Sequence, residues 1–384
     1  MKKILFITHE ASRTGAPFVL LYFMKWMKAH HPEIRADVLL LNGGGLAEEF
    51  RKVAHQTFDR SALFSKFRKS IPYYLYRINH VANLTDSPET HFEKALLKDL
   101  ADENYNIIYA NTVLSIPVAS AVKAINKNKP QLIAHIHELE AMIEMALESF
   151  DYYAPTVDTF IAVSHGVKNN LVTCRRIPAA KIDVIYEFSV ADSAEINSET
   201  ASDKPRFEVG GAGSVQIRKG FDIFIQTAFH IKKKAPEAAI LFRWVGDVPS
   251  SYKQLIETDL KKTELNDRVI FEGASVNPHS FFKNFDVFLL SSREDPFPLV
   301  CIEAGMLGKP VICFDKGNGT AEVLKAGGGK LIPYLDTEAM ADAILNYYNH
   351  PETKKKDGEK AKELFSEFIP EKICPQIYSL FRML

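Results

Sequence analysis

The stretch LLSSREDPFPLVCIEAGMLGKPVICF, Leu289–Phe314, contains a strand end, a loop, a helix and the next strand. Val287–Leu290 is a short apolar run of the kind buried on both faces of a sheet. A polar loop follows, Ser291–Pro298. Pro298 takes the first helical position, where its missing N–H costs little. Leu299, Val300, Ile302 and Met306 then mark an apolar helical face, and Gly308 stops the helix. Pro310–Phe314 reads as the next strand. Two acids stand out, Asp295 in the loop and Glu303 on the helix. Glu303 lies about one turn in, on the side of Leu299. Amides near Leu299 and Val300 sit where a helix start favours an anion. The two acids could accept hydrogen bonds from sugar hydroxyls while those amides hold phosphate. The competing reading is an ion pair of Glu303 with Lys309 or Arg293, or plain exposure.

The same alternation runs outward in both directions. In the first half, Lys3–Thr8, Ala36–Leu41, Ile107–Ala110, Leu132–His137 and Thr159–Val163 read as strands, and Pro17–Ala29 as a helix. In the second half, Phe207–Gly211, Ala239–Val245 and Val269–Phe271 read as strands, and Phe221–Lys234 as a helix. The spacings leave room for helical crossovers, so the sheets are expected to be mostly parallel. Residues 189–205, small, polar and acidic up to Pro205, suit a linker. The expected plan is therefore α/β, with two Rossmann-like doubly wound domains facing each other across a cleft. They are residues 1–188 and 206–365, with a helix over 366–384 that could pack back on the first domain.

Length and composition agree with two globular domains. The chain has 384 residues, 46% hydrophobic and 25% charged, with a formal net charge of −1. Such a balance gives no field to recruit nucleic acid. Cys174, Cys301, Cys313 and Cys374 are widely and irregularly spaced, which argues against a zinc site or disulfide framework and fits a reducing cytoplasm. The N-terminal apolar run is too short for a signal peptide, and no run approaches a membrane span.

Two further loops offer phosphate chemistry. GGAGSVQIRKG, Gly210–Gly220, follows a strand and precedes a helix, and it supplies Arg218 and Lys219. It is neither a dinucleotide fingerprint nor a Walker loop, and it could equally be a turn with two solvated charges. HEASRTGA, residues 9–16, is the corresponding loop of the first domain. There Gly15 allows close backbone approach, and Arg13 could face across the cleft.

Taken together, these residues resemble glycosyltransferase family 4. Asp295-Pro-Phe-Pro-Leu-Val-Cys-Ile-Glu303 is similar to the family's E-x7-E signature, and GMLGKPVI to its continuation. Lys219-Gly220 before a helix, Gly15 after the first strand and His137 at a strand end fall in the matching order. AVSHGVKNNL and KIDVIY are similar to further family segments. The resemblance implies a GT-B fold and retaining transfer of a sugar from a nucleotide-diphosphate donor, with no bound metal and no cofactor. It implies that Glu303 holds ribose hydroxyls. Asp295 and amides around Phe297, Pro298, Leu299 and Val300 would contact sugar and phosphates. Lys219 and Arg218 would neutralise the diphosphate, His137 would lie near the sugar and acceptor, and Gly15 would make room for phosphate. The acceptor would be a glycan or lipid-linked molecule, in cell-surface polysaccharide synthesis. The chain departs from the family at Asp295, where Glu is usual and Glu294 could substitute. It departs also at Ser214, which stands where Arg is frequent, and at Glu187, which stands near the usual Asn-Gly.

A glycosidase using Asp295 and Glu303 would not need Lys219 or phosphate-ready amides. A nucleotide-sugar epimerase and a non-catalytic nucleotide-sugar binder of the same fold are both compatible with these residues. His137 could instead be an ion-paired surface residue beside Glu138, and His135 is expected on the opposite strand face. Residues 60–77 contain five basic residues, five aromatics and no acid. They suggest contact with an anionic membrane surface, at the inner face of the membrane, or with a lipid-linked acceptor, or else a helix with a solvated basic face.

Overall fold

A computed structural model describes residues 2–81, 85–190, 206–275 and 277–382; most of the expected linker, 191–205, lies outside them. The chain forms two compact units. The first comprises residues 1–163, 167–185 and 374–384, and the second residues 164–166 and 186–373. The boundaries therefore differ from a simple cut after 188. Three residues near 165 belong with the second unit, and the end of the chain belongs with the first.

Unit 1 is built on seven strands: β1 (Lys3–Thr8), β2 (Arg35–Leu40), β3 (Thr57–Asp59), β4 (Ile107–Asn111), β5 (Gln131–Ile136), β6 (Thr159–Ala162) and β7 (Ile182–Val184). All pairings are parallel, in the order β3-β2-β1-β4-β5-β6-β7. The helices are α1 (Gly15–His30), α2 (Ala47–Val53), α3 (Arg60–Phe67), α4 (Ile71–Val81), α5 (Pro88–Asp102), α6 (Ile116–Ile125), α7 (Glu140–Ala146), α8 (Phe150–Tyr153) and α9 (His165–Thr173). The central strands β1, β4 and β5 are buried almost throughout, as their unbroken apolar runs require.

Unit 2 repeats the plan with β8 (Phe207–Ala212), β9 (Ile240–Val245), β10 (Val269–Phe271), β11 (Val287–Leu290), β12 (Val311–Phe314) and β13 (Gly329–Ile332), again all parallel, in the order β10-β9-β8-β11-β12-β13. Its helices are α10 (Phe221–Lys234), α11 (Ser250–Thr263), α12 (His279–Phe282), α13 (Leu299–Met306), α14 (Thr320–Leu324), α15 (Thr337–Asn349) and α16 (Pro351–Phe365). The last helix, α17 (Pro370–Arg382), begins in unit 2 and ends in unit 1. In both sheets the strand order reverses at the first strand. Ligands of doubly wound sheets bind outside the carboxyl ends at that switch point. In unit 1 the switch lies between β1 and β4, and in unit 2 between β8 and β11.

Three strands escape the sequence reading: β3, β7 and β13. Each has three or four residues, ends its sheet, and is only partly buried. Their residues, TFD, IDV and GKLI, form no continuous apolar run. Pro298 is the residue before the first helical position, not the first itself. Its ψ of 123° is extended, and its carbonyl accepts from the Cys301 N–H at 3.0 Å, as a capping residue's does. The first helix starts at Gly15, two residues before Pro17, which breaks no bond because first-turn amides have no intrahelical acceptor.

Candidate active site

In unit 2 the loops after β8 and β11 touch because those strands pair, Val287 against Val209 and Phe288 against Gly210. The loop after β8 makes a tight helical turn at Ile217–Lys219 and reverses at Gly220, φ +70°. A Cβ at Gly220 would lie 1.9 Å from the Ser291 carbonyl oxygen, so only glycine lets the two loops meet. Arg293 locks them together. Its guanidinium donates to the Ile217 carbonyl at 2.6 Å and to both Asp222 oxygens at 2.8 and 2.7 Å, and its amide donates to the Arg218 carbonyl at 2.8 Å. Burial raises the Asp222 carboxyl, but the Arg293 hydrogen bond and charge outweigh it, so Asp222 titrates below its ordinary range.

This clamp sets the two residues that follow. Lys219 Nζ lies 2.6 Å from Asp295 Oδ2, and Ser292 Oγ donates to the same oxygen at 3.1 Å. Asp295 is only 5% exposed. Its amide donates to the Gly317 carbonyl at 2.7 Å, and its carbonyl accepts from the Gly319 amide at 3.3 Å. Arg218 Nη1 donates to the Glu294 carbonyl at 2.7 Å. The carboxylate beside Lys219 therefore belongs to Asp295, and Arg218 holds the backbone of Glu294. The shorter side chain suffices because three loops, after β8, β11 and β12, converge on it.

Helix α13 starts beside this group. Pro298 offers no side-chain cap, so the Leu299 and Val300 amides are left for another acceptor. Leu299 and Val300 are half-buried there. Phe297 is buried, its ring centroid 4.9 Å from that of Tyr186 and 5.1 Å from that of Phe368. Its side chain is thus a wedge that fixes the loop, leaving the backbone as its means of reaching a ligand. Glu303 is half-buried. Its Oε1 accepts from Ser189 Oγ at 2.7 Å, and its Oε2 is 3.3 Å from His279 Nε2. These contacts stand in place of the ion pairs considered from sequence: Lys309 donates to the Lys283 carbonyl at 2.7 Å, and Arg293 is committed to Asp222.

In unit 1 the corresponding loops follow β1 and β4. Gly15 opens α1, and Asn111 Nδ2 donates to the next carbonyl, that of Ala16, at 3.0 Å. Asn111 Oδ1 is 2.9 Å from His137 Nε2, and the His137 amide donates to Glu138 Oε2 at 3.0 Å. Thr112 is held at φ +81°, and its hydroxyl is 3.1 Å from His9 Nδ1. Such backbone strain in a non-glycine residue is typical of functional loops. His9 is shifted below the usual histidine value, by burial first and by His137, against the pull of Glu10. Arg13 is exposed and ion-paired with Glu49 at 3.2 Å.

His135 corrects an expectation. Its ring centroid lies 4.1 Å from that of His137, so the two share a side of the strand, as period-two alternation dictates for residues i and i+2. It is fully buried, and Tyr109 Oη is 2.6 Å from its Nδ1. Burial, followed by the neighbouring His137, pushes it well below the ordinary value, so it is neutral.

Sequence reading missed Ser189, His279, Ser292 and Glu322, and it weighed Arg293 only as a partner of Glu303. The Glu322 carboxylate accepts from the His165 and Gly166 amides at 3.0 and 2.8 Å and from the Tyr186 hydroxyl at 2.9 Å. Only Glu322 stands near a signal, since DKGNGT, just before it, is rich in turn residues. Among the described residues, no three of His, Cys, Asp or Glu are grouped to hold a metal ion.

Two family profiles match the chain. "Glycosyltransferase Family 4" matches residues 68–188, and "Glycosyl transferases group 1" matches residues 206–350. Together they cover well over half of it. The chain belongs to glycosyltransferase family 4. It is a glycosyltransferase. Among curated relatives, it is 26% identical over 275 residues to the alpha-galactosylglucosyldiacylglycerol synthase of Streptococcus pneumoniae, covering 64% of this chain and 69% of that protein. It is 33% identical over 235 residues to the N-acetyl-alpha-D-glucosaminyl L-malate synthase of Bacillus anthracis, covering 58% of this chain and 59% of that protein. Among solved structures, HepE of Anabaena in complex with UDP and glucose matches with a TM-score of 0.78 at 20% identity, covering 100% of both chains. The family 4 chain thus has the GT-B fold.

Proposed function

We propose that the protein transfers a sugar, with retention, from a nucleotide-diphosphate donor to a glycan or glycolipid acceptor in cell-surface polysaccharide synthesis, without a bound metal. The observation that carries this is the Lys219–Asp295 pair at the unit 2 switch point, with Arg218 beside it and the uncapped start of α13 next to it. As the glycosidic bond of the donor breaks, negative charge grows on the diphosphate. Lys219, Arg218 and the first-turn amides of α13 are fixed before that charge appears, so they lower the barrier without reorganising. Lys219 is shared with Asp295 in the free protein. A diphosphate would draw the ammonium toward itself and leave Asp295 and Ser292 to accept or donate to sugar hydroxyls. Glu303, with oxygens already held by Ser189 and His279, would exchange these partners for the two ribose hydroxyls. His137, oriented by Asn111, and Gly15 are the unit 1 groups assigned to the sugar and the phosphate. The relatives that make glycolipids and small glycosides support this class of reaction, and a cytoplasmic site of action fits a nucleotide-activated donor.

The test is a thermal-shift and turnover series with nucleotide diphosphates and nucleotide sugars. A ligand of the native state alone raises the melting temperature. Glu303→Ala is expected to lose the nucleotide response. Lys219→Ala is expected to keep a weakened response and to lower turnover by about 10²–10³-fold, the usual loss on removing one charge-stabilising donor. Nucleotide release that needs an acceptor supports transfer, and product from donor alone would point to an epimerase or hydrolase. An unchanged response in Glu303→Ala refutes the site.

A further inference from the structure

We propose that the outward face of α4 docks unit 1 on an anionic lipid surface. Helix α4 is amphipathic in the reverse sense. Its inward face is held by aromatic contacts: the Tyr76 ring lies 3.7 Å from that of His91 on α5, and the Tyr73 ring 5.7 Å from that of Phe67 on α3. Its outward face is apolar. Ile71, Tyr74, Leu75, Ile78 and Val81 are 76%, 54%, 55%, 67% and 80% exposed. Their spacing is that of one helical stripe. Single exposed apolar residues need no explanation, but a continuous stripe marks an interaction surface.

Charge identifies the occupant. Lys66, Arg68, Lys69 and Arg77 are all exposed, and no acid occurs from Arg60 to Val81. Arg60, which is ion-paired, reaches out of the segment to Glu93. An apolar stripe flanked by exposed cations, with no acid among them, is complementary to a bilayer with anionic headgroups. The apolar side chains enter the acyl boundary and the cations stay with phosphate. The helix has 11 residues. That is about 16 Å, far short of the roughly 30 Å hydrocarbon core, so it lies in the surface. No described helix is long and apolar enough to span. Helix α3 follows directly from the carboxyl end of β3 and leads to α4, so the docking face is on the chain leaving the same end of the sheet as Gly15 and His137. This inference stands apart from the sugar-transfer reading, because vesicle binding is measured without donor or acceptor.

The test is flotation of the full chain with phosphatidylcholine vesicles, with and without phosphatidylglycerol. Wild type should float with the anionic vesicles only, and less at high salt. Leu75→Glu/Ile78→Glu should lower partitioning at least tenfold. Lys66→Gln/Arg68→Gln/Lys69→Gln should lower it on the order of 100-fold and flatten the salt response, at roughly fivefold per charge. All substituted positions are exposed, so melting curves should match wild type. Failure of wild type to float, or wild-type binding by the double glutamate variant, overturns the proposal. So does a concentration-dependent dimer that the glutamate variant makes monomeric, since the stripe would then belong to a second copy.

Discussion

At the residue scale, the two switch-point clusters use ionisable groups in opposite ways. Lys219 and Asp295 form an ion pair, whereas His135 is kept neutral by burial. The latter has a measurable consequence. In the folded state the His135 proton affinity is well below the ordinary value, so below about pH 6.5 the unfolded chain binds a proton that the folded chain refuses. The stability this group contributes is present above that pH and lost as pH falls below it. His9 is shifted in the same direction. The melting temperature is therefore expected to fall between about pH 7 and pH 5, and His135→Gln should fall less steeply. An equal slope in the variant would remove His135 from this account. The pattern DPFPLVCIE placed both acids on a loop and a helix start from sequence alone. It could not show that Lys219, 76 positions earlier, would reach Asp295 and not Glu294. Nor could it show that Ser189 and His279 would hold Glu303. Those partners come from other segments of the chain, and a contact between distant segments leaves no local periodicity to read.

At the element scale, strands and crossovers were legible wherever burial was complete. β1, β4, β5, β11 and β12 are apolar runs because both faces are covered. β3, β7 and β13 were not legible because they are short, half-covered and interrupted by polar residues or glycine, whereas the edge strand β10 is apolar throughout. The turn before α10 shows how tightly two elements depend on each other. Gly220 has a left-handed φ and abuts a backbone carbonyl, while Gly273, φ +81°, has open space around it. Gly273→Ala should cost only the conformational penalty of about 1–2 kcal/mol. Gly220→Ala adds a collision that only backbone movement relieves. It should cost clearly more and also weaken nucleotide binding, because Lys219 and Arg293 move with the loop. Chemical denaturation and the nucleotide thermal shift measure the two effects, and equal costs at both glycines would contradict the contact.

At the scale of the whole molecule, the chain's end completes its beginning. Phe381 on α17 is 1% exposed within unit 1, its ring 6.4, 5.7 and 5.9 Å from those of Phe6, Phe23 and Tyr109. Lys2 also bonds the Phe381 carbonyl. Phe381→Ala should destabilise unit 1 by about 3–5 kcal/mol, the range for deleting a buried aromatic side chain. Urea unfolding followed by limited proteolysis should show cleavage of residues 2–185 first. Loss of less than about 1 kcal/mol would mean that the helix is dispensable.

The sequence by itself determined the α/β grammar, the loops at the strand ends, and the resemblance that pointed to glycosyltransferase family 4. All of these are local patterns, set by periodicities of two and 3.6 residues and by turn residues. Tertiary structure alone decided which strands are neighbours at each switch point. It thereby decided which loops meet, that Asp295 is the acid beside Lys219, that His135 shares a side with His137, and that the apolar stripe of α4 faces outward. Each of these depends on pairings between positions far apart in the chain, which packing selects and local sequence does not encode.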